Sequence, residues 1–427
     1  IKTIRSRNWD PFPVDPATID AVVLTHAHID HTGYLPALVR DGFRGDLWCT
    51  PATADLCRIM LPDAAHLQEE DARHANRRRS SRHHPALPLY TAADAERALA
   101  LLRPHPFLEP FEPIAGVQGL FSPVGHILGA GAIRIADADT SVLFTGDVGR
   151  PVDPVMHAPA PPPAADHLVT ESTYGNRTHE QRDPAEELAD AVVRTMSRGG
   201  TLLVPVFAVG RAQTVLHLLS ELRAAGRIPR VPTYVNSPMA VDATELFCRY
   251  TGEHRLTVDQ CRAMCEDVTF VRTVEESKEL TPRGGPMIVL SASGMLSGGR
   301  VLHHLEHVAP DHRSTILLVG YQAAGTRGEA LAAGARQVRV FGSYVPVRAD
   351  VVRIDSLSAH ADADELTAWL GSSELAPGST HIVHGEPSAA DALRRTLHDD
   401  LGWDAWVAEH GECADLAGRP IGAGAGS

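Results

Sequence analysis

A buried strand that runs directly into a cluster of histidines and aspartate constrains this chain more than any other feature. Residues 21–31 read AVVLTHAHIDH, and after the strand Ala21–Leu24 a stretch of six residues holds four side chains of metal-ligating type: His26, His28, Asp30 and His31. In an extended chain residues i and i+2 point the same way, so His26 and His28 can share one metal ion. The chain then turns toward a helix at Tyr34–Arg40, and we expect Asp30 and His31 to face a second metal.

Three further candidate ligands follow other predicted strands. His126 follows the segment FSPVG, Asp147 follows a strand at Ser141–Thr145, and His384 follows a strand at His381–Val383. Open α/β sheets collect their ligand sites at the carboxyl ends of strands, so we expect these side chains to converge. Taken singly, a loop histidine is usually solvated and a Gly-Asp pair is usually a turn. The joint placement favours a metal site.

The residue types indicate which metal such a site would hold. Imidazole nitrogens with a few carboxylates suit Zn²⁺, whereas Mg²⁺ demands an oxygen-rich shell. Two zinc ions that share a carboxylate and a water lower the pKa of that water toward about 7. The resulting hydroxide is an in-line nucleophile for a phosphodiester.

A phosphodiester also needs its leaving oxygen protonated, and two residues are candidates for that step. His360 lies at a strand end in SLSAHAD, and Glu171 lies likewise in TESTYGNR. A carboxylate beside a histidine fixes its tautomer and raises its pKa, as a general acid requires. From spacing alone, a locally bonded helix-start histidine and a surface carboxylate remain the simpler interpretations.

The net charge of the chain limits how it could bind nucleic acid. Thirty-nine basic against 53 acidic residues give a net charge of −14, which excludes wholesale electrostatic attraction to nucleic acid. The net charge does not exclude anion-binding sites formed by a few local residues. Arg211 begins a helix after the strand Thr201–Phe207, and a helix N-terminus attracts anions. The segment Arg73–His84 carries five arginines, three histidines and no acid, so it is either part of a nucleic-acid path or a solvated basic face.

The rest of the chain reads as an ordinary α/β protein. Strands alternate with capped helices, and 427 residues suggest two or three domains. No run approaches the ~20 apolar residues of a membrane helix. Six cysteines are too sparse for a disulfide framework, which favours reduced thiols and a cytoplasmic location.

The motifs resemble those of a known family. The cluster at 26–31, His126 and Asp147 look like motifs of the metallo-β-lactamase fold. Glu171, His360 and His384, in TESTYG, SAHAD and VHGE, look like the three extra motifs of its β-CASP branch of nucleases. PVFAVGRAQ, NSPMA and SASGMLSGGR extend the resemblance over nearly the whole chain. It is close to the bacterial and archaeal ribonucleases related to the endonuclease subunit of the cleavage and polyadenylation factor.

The resemblance implies roles for individual residues. One zinc would be held by His26, His28 and His126, the other by Asp30, His31 and His384, and Asp147 would bridge the two. The catalytic residues would be His360 as the acid, Glu171 as its support, and Asp30. Segments that resemble phosphate contacts supply the expected substrate-binding residues, which are Phe207, Ala208, Val209, Arg211, Ser358, Ala359 and His360.

The resemblance also implies an architecture. An αββα metallo-β-lactamase sandwich would occupy residues 1–178, a β-CASP cap would occupy 179–335, and residues 336–427 would complete the first domain. Members of the family begin with strands that precede the histidine motif by roughly 50 residues, so we expect this chain to lack its N-terminal strands. RNA would thread the cleft between the two domains, and homodimers are common among similar proteins.

The expected function is zinc-dependent hydrolysis of single-stranded RNA. His384 favours RNA, because DNA-processing members of the Artemis type usually carry valine at that motif. Three alternatives remain: a DNA nuclease, a small-molecule hydrolase of the same fold, and a non-catalytic RNA-processing scaffold. The sequence does not decide between endonuclease and 5′-exonuclease action.

Overall fold

The strands and helices of the chain group into two units. The computed structural model describes residues 7–79, 83–180, 182–416 and 419–421. Unit A contains residues from the start of the described chain to Asp153, then His157–Thr178 and the residues from His360 onward. Unit B contains Pro154–Met156 and His179–Ala359. The alternation of strands and helices confirms the expected α/β class.

The strands are numbered in chain order. They are β1 Ala21–Val23, β2 Asp46–Cys49, β3 Leu102–Pro104, β4 Pro110–Ile114, β5 Val117–Pro123, β6 Gly131–Ala136, β7 Ser141–Phe144, β8 His167–Thr170, β9 Thr201–Pro205, β10 Thr233–Val235, β11 Val268–Phe270, β12 Met287–Ser291, β13 Thr315–Val319, β14 Gln337–Val340, β15 Ser343–Pro346, β16 Asp350–Ile354, β17 Ser379–Ile382, β18 Ala405–Val407, β19 Cys413–Asp415 and β20 Arg419–Ile421. The α-helices are Ile29–Thr32, Leu35–Arg40, Pro51–Arg78, Ala92–Leu99, Pro184–Ser197, Arg211–Ala224, Pro238–Arg249, Val258–Cys265, Val274–Leu280, Val301–Val308, Arg327–Ala332, Ala363–Leu370 and Pro387–Leu401. Short 3₁₀ turns lie at Pro16–Thr18, Thr281–Arg283 and Asp355–Leu357.

Unit A contains two principal sheets. The smaller has the order β1-β2-β3 and is parallel, and the larger has the order β18-β17-β8-β7-β6-β5-β4. Within the larger sheet β18, β17, β8 and β7 run parallel, whereas β6, β5 and β4 continue antiparallel. The carboxyl ends of β7, β8 and β17 therefore lie side by side at one edge, where an open α/β sheet places its ligands.

The long helix Pro51–Arg78 is tied to this sheet at its beginning. Thr50 is its N-cap residue and accepts a hydrogen bond from the backbone N–H of Thr53. The hydroxyls of Thr50 and Thr53 donate to the carbonyl oxygen of Gly129, at 2.7 and 2.9 Å. These bonds anchor the helix start against the loop that carries His126.

Unit B is built on a six-stranded parallel sheet with the order β11-β10-β12-β9-β13-β16. All residues of β9, β12 and β13 are buried, as expected for a parallel sheet that is covered on both faces. The helix Arg211–Ala224 buries Val215, Leu216 and Leu219 in this core. The N-cap residue of the helix Pro184–Ser197 is Asp183, whose side chain accepts from the N–H of Ala185.

The predicted cap boundary at residue 335 falls inside unit B. β16 pairs in parallel with β13, in the register Thr315↔Asp350 through Val319↔Ile354, so the unit continues to Ala359. This pairing joins segments far apart in sequence, and no local pattern indicates it. The predicted division into domains at residues 1–178, 179–335 and 336–427 therefore stays a prediction.

Several predicted elements are confirmed, with shifted ends. The strand predicted at Ala21–Leu24 is β1, the strand predicted at Ser141–Thr145 is β7, and the helix predicted at Tyr34–Arg40 begins at Leu35. The strand predicted at Thr201–Phe207 ends at Pro205, because the chain turns over residues 208–210 ahead of the next helix. All six cysteines are free thiols. In the described part of the chain, no helix combines the length and apolar character needed to cross a membrane.

Candidate metal centre

The histidine cluster lies where β1 gives way to a short helix. The chain stays extended to His28, the N-cap of the helix Ile29–Thr32, with φ −54° and ψ 146°. The buried hydroxyl of Thr32 donates to the carbonyls of Ala27 and His28, both at 3.1 Å. This bend separates His26 and His28 on the extended side from Asp30 and His31 on the helical side.

Four side chains form a first donor set. The Nδ1 atom of His28 lies 3.2 Å from His26 Nε2 and 3.1 Å from His126 Nε2. Asp147 Oδ2 lies 3.4 Å from His26 Nε2 and 3.5 Å from His126 Nε2. The side chains of His26, His126 and Asp147 are at most 2% exposed.

These spacings fit a metal ion better than a hydrogen-bond network. Tetrahedral zinc with bonds of about 2.05 Å holds its ligand atoms roughly 3.3 Å apart. The four donor atoms of the first set can share one ion because they all lie within 4.8 Å of one another. Three imidazoles and one carboxylate are also the ligand types that zinc prefers.

A second donor set lies on the solvent side and consists of Asp30, His31 and His384. His384 Nε2 is 3.2 Å from His31 Nε2 and 3.3 Å from Asp30 Oδ2. The Asp30 side chain is 60% exposed and that of His384 is 31% exposed, in contrast to the buried first set. A phosphate group in solution can therefore reach the second set directly.

Asp147 lies between the two sets. Its Oδ2 atom faces the first set, whereas its Oδ1 atom is 3.4 Å from both His31 Nε2 and His384 Nδ1. Oδ1 is buried and accepts no hydrogen bond among the described residues. Gly146 has φ +57°, and a Cβ atom there would lie 2.7 Å from Thr25 Cβ, so glycine lets the aspartate approach the β1 end. One carboxylate thus offers an oxygen to each set.

Burial lowers the pKa of the histidines in the first donor set and so favours their neutral form. Burial lowers the pKa of His26 and of His126, and it lowers that of His28 to about 3. Burial also acts to raise the pKa of Asp147, but the neighbouring His26 outweighs it and keeps that pKa well below its usual range. Neutral imidazoles and an ionised carboxylate are the forms that bind a metal.

In the second donor set, interactions between the side chains outweigh the effect of burial on the pKa. Burial acts to lower the pKa of His384, but its hydrogen bond with Asp30 and the charge of Asp147 raise that pKa to about 9. For Asp30, burial acts to raise the pKa, but the hydrogen bond from His384 brings it below its usual range. A cation bound here would take the place of the His384 proton.

His384 is held in an unusual backbone conformation. It follows β17 with φ 51°, in the left-handed region that non-glycine residues seldom adopt. Its carbonyl accepts from the N–H of Ser172 at 3.2 Å, and the Thr173 hydroxyl lies 3.2 Å from its Nδ1 atom. Strained residues of this kind cluster at functional sites. Sequence reasoning missed Thr173, although it stands inside the TESTYG motif.

His360 and Glu171 form a pair beside the first set. His360 Nδ1 lies 3.0 Å from Glu171 Oε2, and His360 Nε2 lies 3.9 Å from Asp147 Oδ2. Burial acts to lower the pKa of His360, but the charges of Glu171 and Asp147 raise it above its ordinary value. Glu171 thus favours the protonated form of His360, whose Nε2 atom faces the metal donors.

The backbone of Val148 joins this pair to the Asp147 loop. Its N–H donates to Glu171 Oε1 at 2.6 Å, and its carbonyl accepts from the N–H of Ala361 at 2.8 Å. Glu171 also lies near Asp147 and His384, in a spacing that a metal could use. Both its oxygens already accept hydrogen bonds, so the geometry favours a positioning role for Glu171 over that of a ligand.

The predicted substrate contacts, apart from His360, lie in unit B. Phe207, Ala208 and Val209 form the turn between β9 and the helix Arg211–Ala224. Arg211 Nη1 donates to the carbonyl of Leu357 at 2.5 Å, which places this turn beside Ser358 and Ala359. The structure groups these residues, but Arg211 is 4% exposed and its Nη1 atom donates to a protein carbonyl. Its role as a phosphate contact remains a prediction.

Three family models match the chain in succession. Residues 12–189 match the metallo-beta-lactamase superfamily, residues 212–331 match the Beta-Casp domain, and residues 344–408 match the Zn-dependent metallo-hydrolase RNA specificity domain. The succession confirms the expected fold, a metallo-β-lactamase domain interrupted by a β-CASP domain.

Individual relatives extend the match along the chain. Ribonuclease TTHA0252 of Thermus thermophilus is 36% identical over 399 residues, covering 92% of this chain and 87% of that protein. The RNase J-like protein of Methanocaldococcus jannaschii is 28% identical, covering 91% and 86%. Transcription termination factor FttA of the same organism is 29% identical over 88% of this chain, which spans only 61% of the factor.

Proposed function

Since this chain belongs to the β-CASP ribonuclease family of the metallo-β-lactamase superfamily, we propose that it is a zinc-dependent ribonuclease that hydrolyses single-stranded RNA. The observation that carries the proposal is the position of Asp147 between two donor sets. Each set has the ligand types and spacing of a zinc site, and His360 lies within 4 Å of the shared carboxylate.

Seven residues would hold two zinc ions. The first set, His26, His28, His126 and Asp147, would bind one, and Asp30, His31 and His384 would bind the other with Asp147 between them. When bound, the zinc ions would activate a water molecule and neutralise charge on the phosphate. Asp30 is proposed as a ligand, and its additional catalytic role remains a prediction.

The acid–base pair supplies the proton that the leaving oxygen needs. As the phosphorus–oxygen bond breaks, His360 Nε2 would donate its proton to the departing ribose oxygen, while a hydroxide ion, formed when water releases a proton to solvent, bonds to phosphorus. Glu171 keeps the proton of Nδ1 in place and compensates the imidazolium charge. Glu171 is in turn fixed by Val148, so the pair is oriented before substrate binds.

Hydrolysis by water distinguishes this proposal from cleavage that uses the RNA 2′-hydroxyl as nucleophile. The products should end in a phosphate and a free hydroxyl, without a 2′,3′-cyclic phosphate. The RNA specificity match at residues 344–408 and the ribonuclease relative support RNA as the substrate. A cytoplasmic location and a homodimer remain proposals.

Cleavage of matched single strands tests the proposal. We expect the zinc-loaded protein to cut an end-labelled RNA. A DNA of the same sequence should be cut at a rate at least about 100-fold lower. Treatment with a chelator should abolish cleavage, and added zinc should restore it.

The outcomes separate the alternatives. Equal cleavage of RNA and DNA would replace the proposal with a general nuclease. RNA binding without cleavage would support a scaffold, and hydrolysis of a chromogenic lactam with intact RNA would support a small-molecule hydrolase. Cyclic phosphate ends would contradict the water mechanism.

A further inference from the structure

One basic segment is not used by the proposed mechanism. It covers the last turns of the helix Pro51–Arg78, and we call its described residues Arg73, His74, Arg77, Arg78 and Arg79 the basic helix end. All five are exposed. Residues 80–82 of the predicted segment Arg73–His84 lie outside the described residues. The chain as a whole carries a charge of −14, so a concentration of cations on one helix requires an explanation.

Three arginines and His74 share one side of the helix. At 100° per residue, Arg73 and Arg77 lie on one ridge and His74 and Arg78 on the adjacent ridge. Ala72, which is buried, lies on the opposite side. The basic helix end therefore presents its cations to solvent and its alanine to the body of unit A.

The arginines have few competing partners. Arg73 Nε donates to the carbonyl of Glu69 within the same helix. Among the described residues, no acidic side chain forms an ion pair with Arg73, Arg77 or Arg78. By contrast, Arg58, at the other end of this helix, donates to Asp55 at 2.8 Å, and Arg394 and Arg395 both pair with Asp391. Glu69, Glu70 and Asp71 precede Arg73 on the same helix, but Glu69 accepts from the N–H of Ala92 and Glu70 lies 3.7 Å from His66. Arginines that form no ion pair with these acids can bind an anionic partner.

Hydrogen bonds to residues 86–92 hold the last turns of this helix in place. Asn76 Nδ2 donates to the carbonyl of Ala86 at 2.9 Å, and the N–H of Ala86 donates to Asn76 Oδ1 at 2.7 Å. Gln68 and Glu69 accept from the N–H groups of Leu89 and Ala92. The helix end is thus held along its length and is not a free tail.

The helix also fixes the distance from the metal centre. Its start is bonded to Gly129, three residues beyond His126, and its 28 residues span about 42 Å at 1.5 Å each. The basic helix end therefore lies roughly 30–40 Å along the helix from the helix start beside the His126 loop. A 40-nucleotide RNA can reach from the site to the basic helix end, whereas a 10-mer centred on the site extends only about five nucleotides, roughly 17 Å, to either side.

We propose that the basic helix end is a second RNA-binding surface, which contacts backbone phosphates of long substrates remote from the bond that is cut. This inference rests on the proposed function for the identity of its ligand. Phosphate contacts by arginine are independent of base sequence, so the surface would select RNA by length. Each phosphate contact to a single strand contributes about 0.7 to the slope of log affinity against log salt.

Binding measurements with two RNA lengths test the proposal. The zinc-loaded protein would carry His360→Ala in every arm to prevent cleavage, and 10- and 40-nucleotide RNAs of the same repeating sequence would be used. We expect R73Q/R77Q/R78Q to weaken binding of the 40-mer by about 10-fold and to lower its salt slope by about 2. Binding of the 10-mer should change less than twofold.

A matched variant controls for loss of charge. R58Q/R394Q/R395Q removes three arginines of unit A that are paired with aspartates, of which Arg58 and Arg395 are exposed and Arg394 is half-buried, and it should leave binding of both RNAs within twofold. Melting temperatures of all variants report whether the helix end has merely lost cations that favour its C-terminus.

The results also distinguish the two proposals. An unchanged ratio of 40-mer to 10-mer affinity in R73Q/R77Q/R78Q would overturn the second surface, even if the wild-type protein cleaves RNA. The expected length effect in a protein that does not cleave would overturn the proposed function alone. If the variant loses binding to polyglutamate but not to the 40-mer, the surface binds an acidic protein instead.

Discussion

Replacing Asp147 by asparagine is expected to lower RNA cleavage by more than about 1,000-fold, since the loss of metal ligation removes several kcal/mol of transition-state stabilisation. Asp147 offers one oxygen to each donor set, so a single substitution should weaken both metal sites. Inductively coupled plasma mass spectrometry on dialysed protein should find fewer than one zinc per chain, against two in the wild type.

A matched aspartate controls for the loss of a carboxylate. Asp137 lies in the loop before β7, is fully exposed, and accepts hydrogen bonds from backbone N–H groups that asparagine can also accept. D137N should keep its zinc and its activity. A D147N protein that retains both zinc ions and cleaves normally would remove Asp147 from the site.

Replacing His360 by alanine is expected to lower the cleavage rate by about 100- to 10,000-fold, the usual contribution of a general acid. His360 Nε2 faces Asp147 but does not belong to either donor set, so both zinc ions should remain bound. Loss of zinc together with activity would instead identify His360 as a ligand. His398→Ala, an exposed histidine near the end of the helix Pro387–Leu401, serves as the control.

The Glu171→Gln variant separates positioning from catalysis. Glu171 raises the pKa of His360, so its neutralisation should lower that pKa. A general acid must be protonated, and activity is lost as pH rises through its pKa. The alkaline limb of the rate profile should therefore move to lower pH in E171Q. An unshifted limb would show that His360 is not the acid.

The sequence predicts those parts of the site whose residues lie together in short motifs. His26 and His28 follow a strand and share a metal set, as their i, i+2 spacing indicates. The ends of β7, β8 and β17 meet because parallel strands align their carboxyl ends, and this rule predicts from the sequence that Asp147 and His384 converge.

Other features depend on contacts between distant residues. The atom of His28 that faces the other donors is Nδ1 rather than Nε2, and it lies near both His26 Nε2 and His126 Nε2, 98 residues away in sequence. The Nη1 atom of Arg211 donates to the carbonyl of Leu357, 146 residues away in sequence, and no local pattern indicates this bond. The phosphate contact of Arg211 stays a prediction. Similarly, β16 extends unit B past residue 335 through pairing with β13.

The most direct test is a zinc titration of RNA cleavage under single-turnover conditions. Metal-free protein would receive increasing equivalents of Zn²⁺, and the rate of cutting an end-labelled single-stranded RNA would be measured at each step. The account predicts no cleavage without metal and a rate that stops rising at two equivalents per chain. Full activity in the metal-free protein, or a plateau at one equivalent, would contradict it.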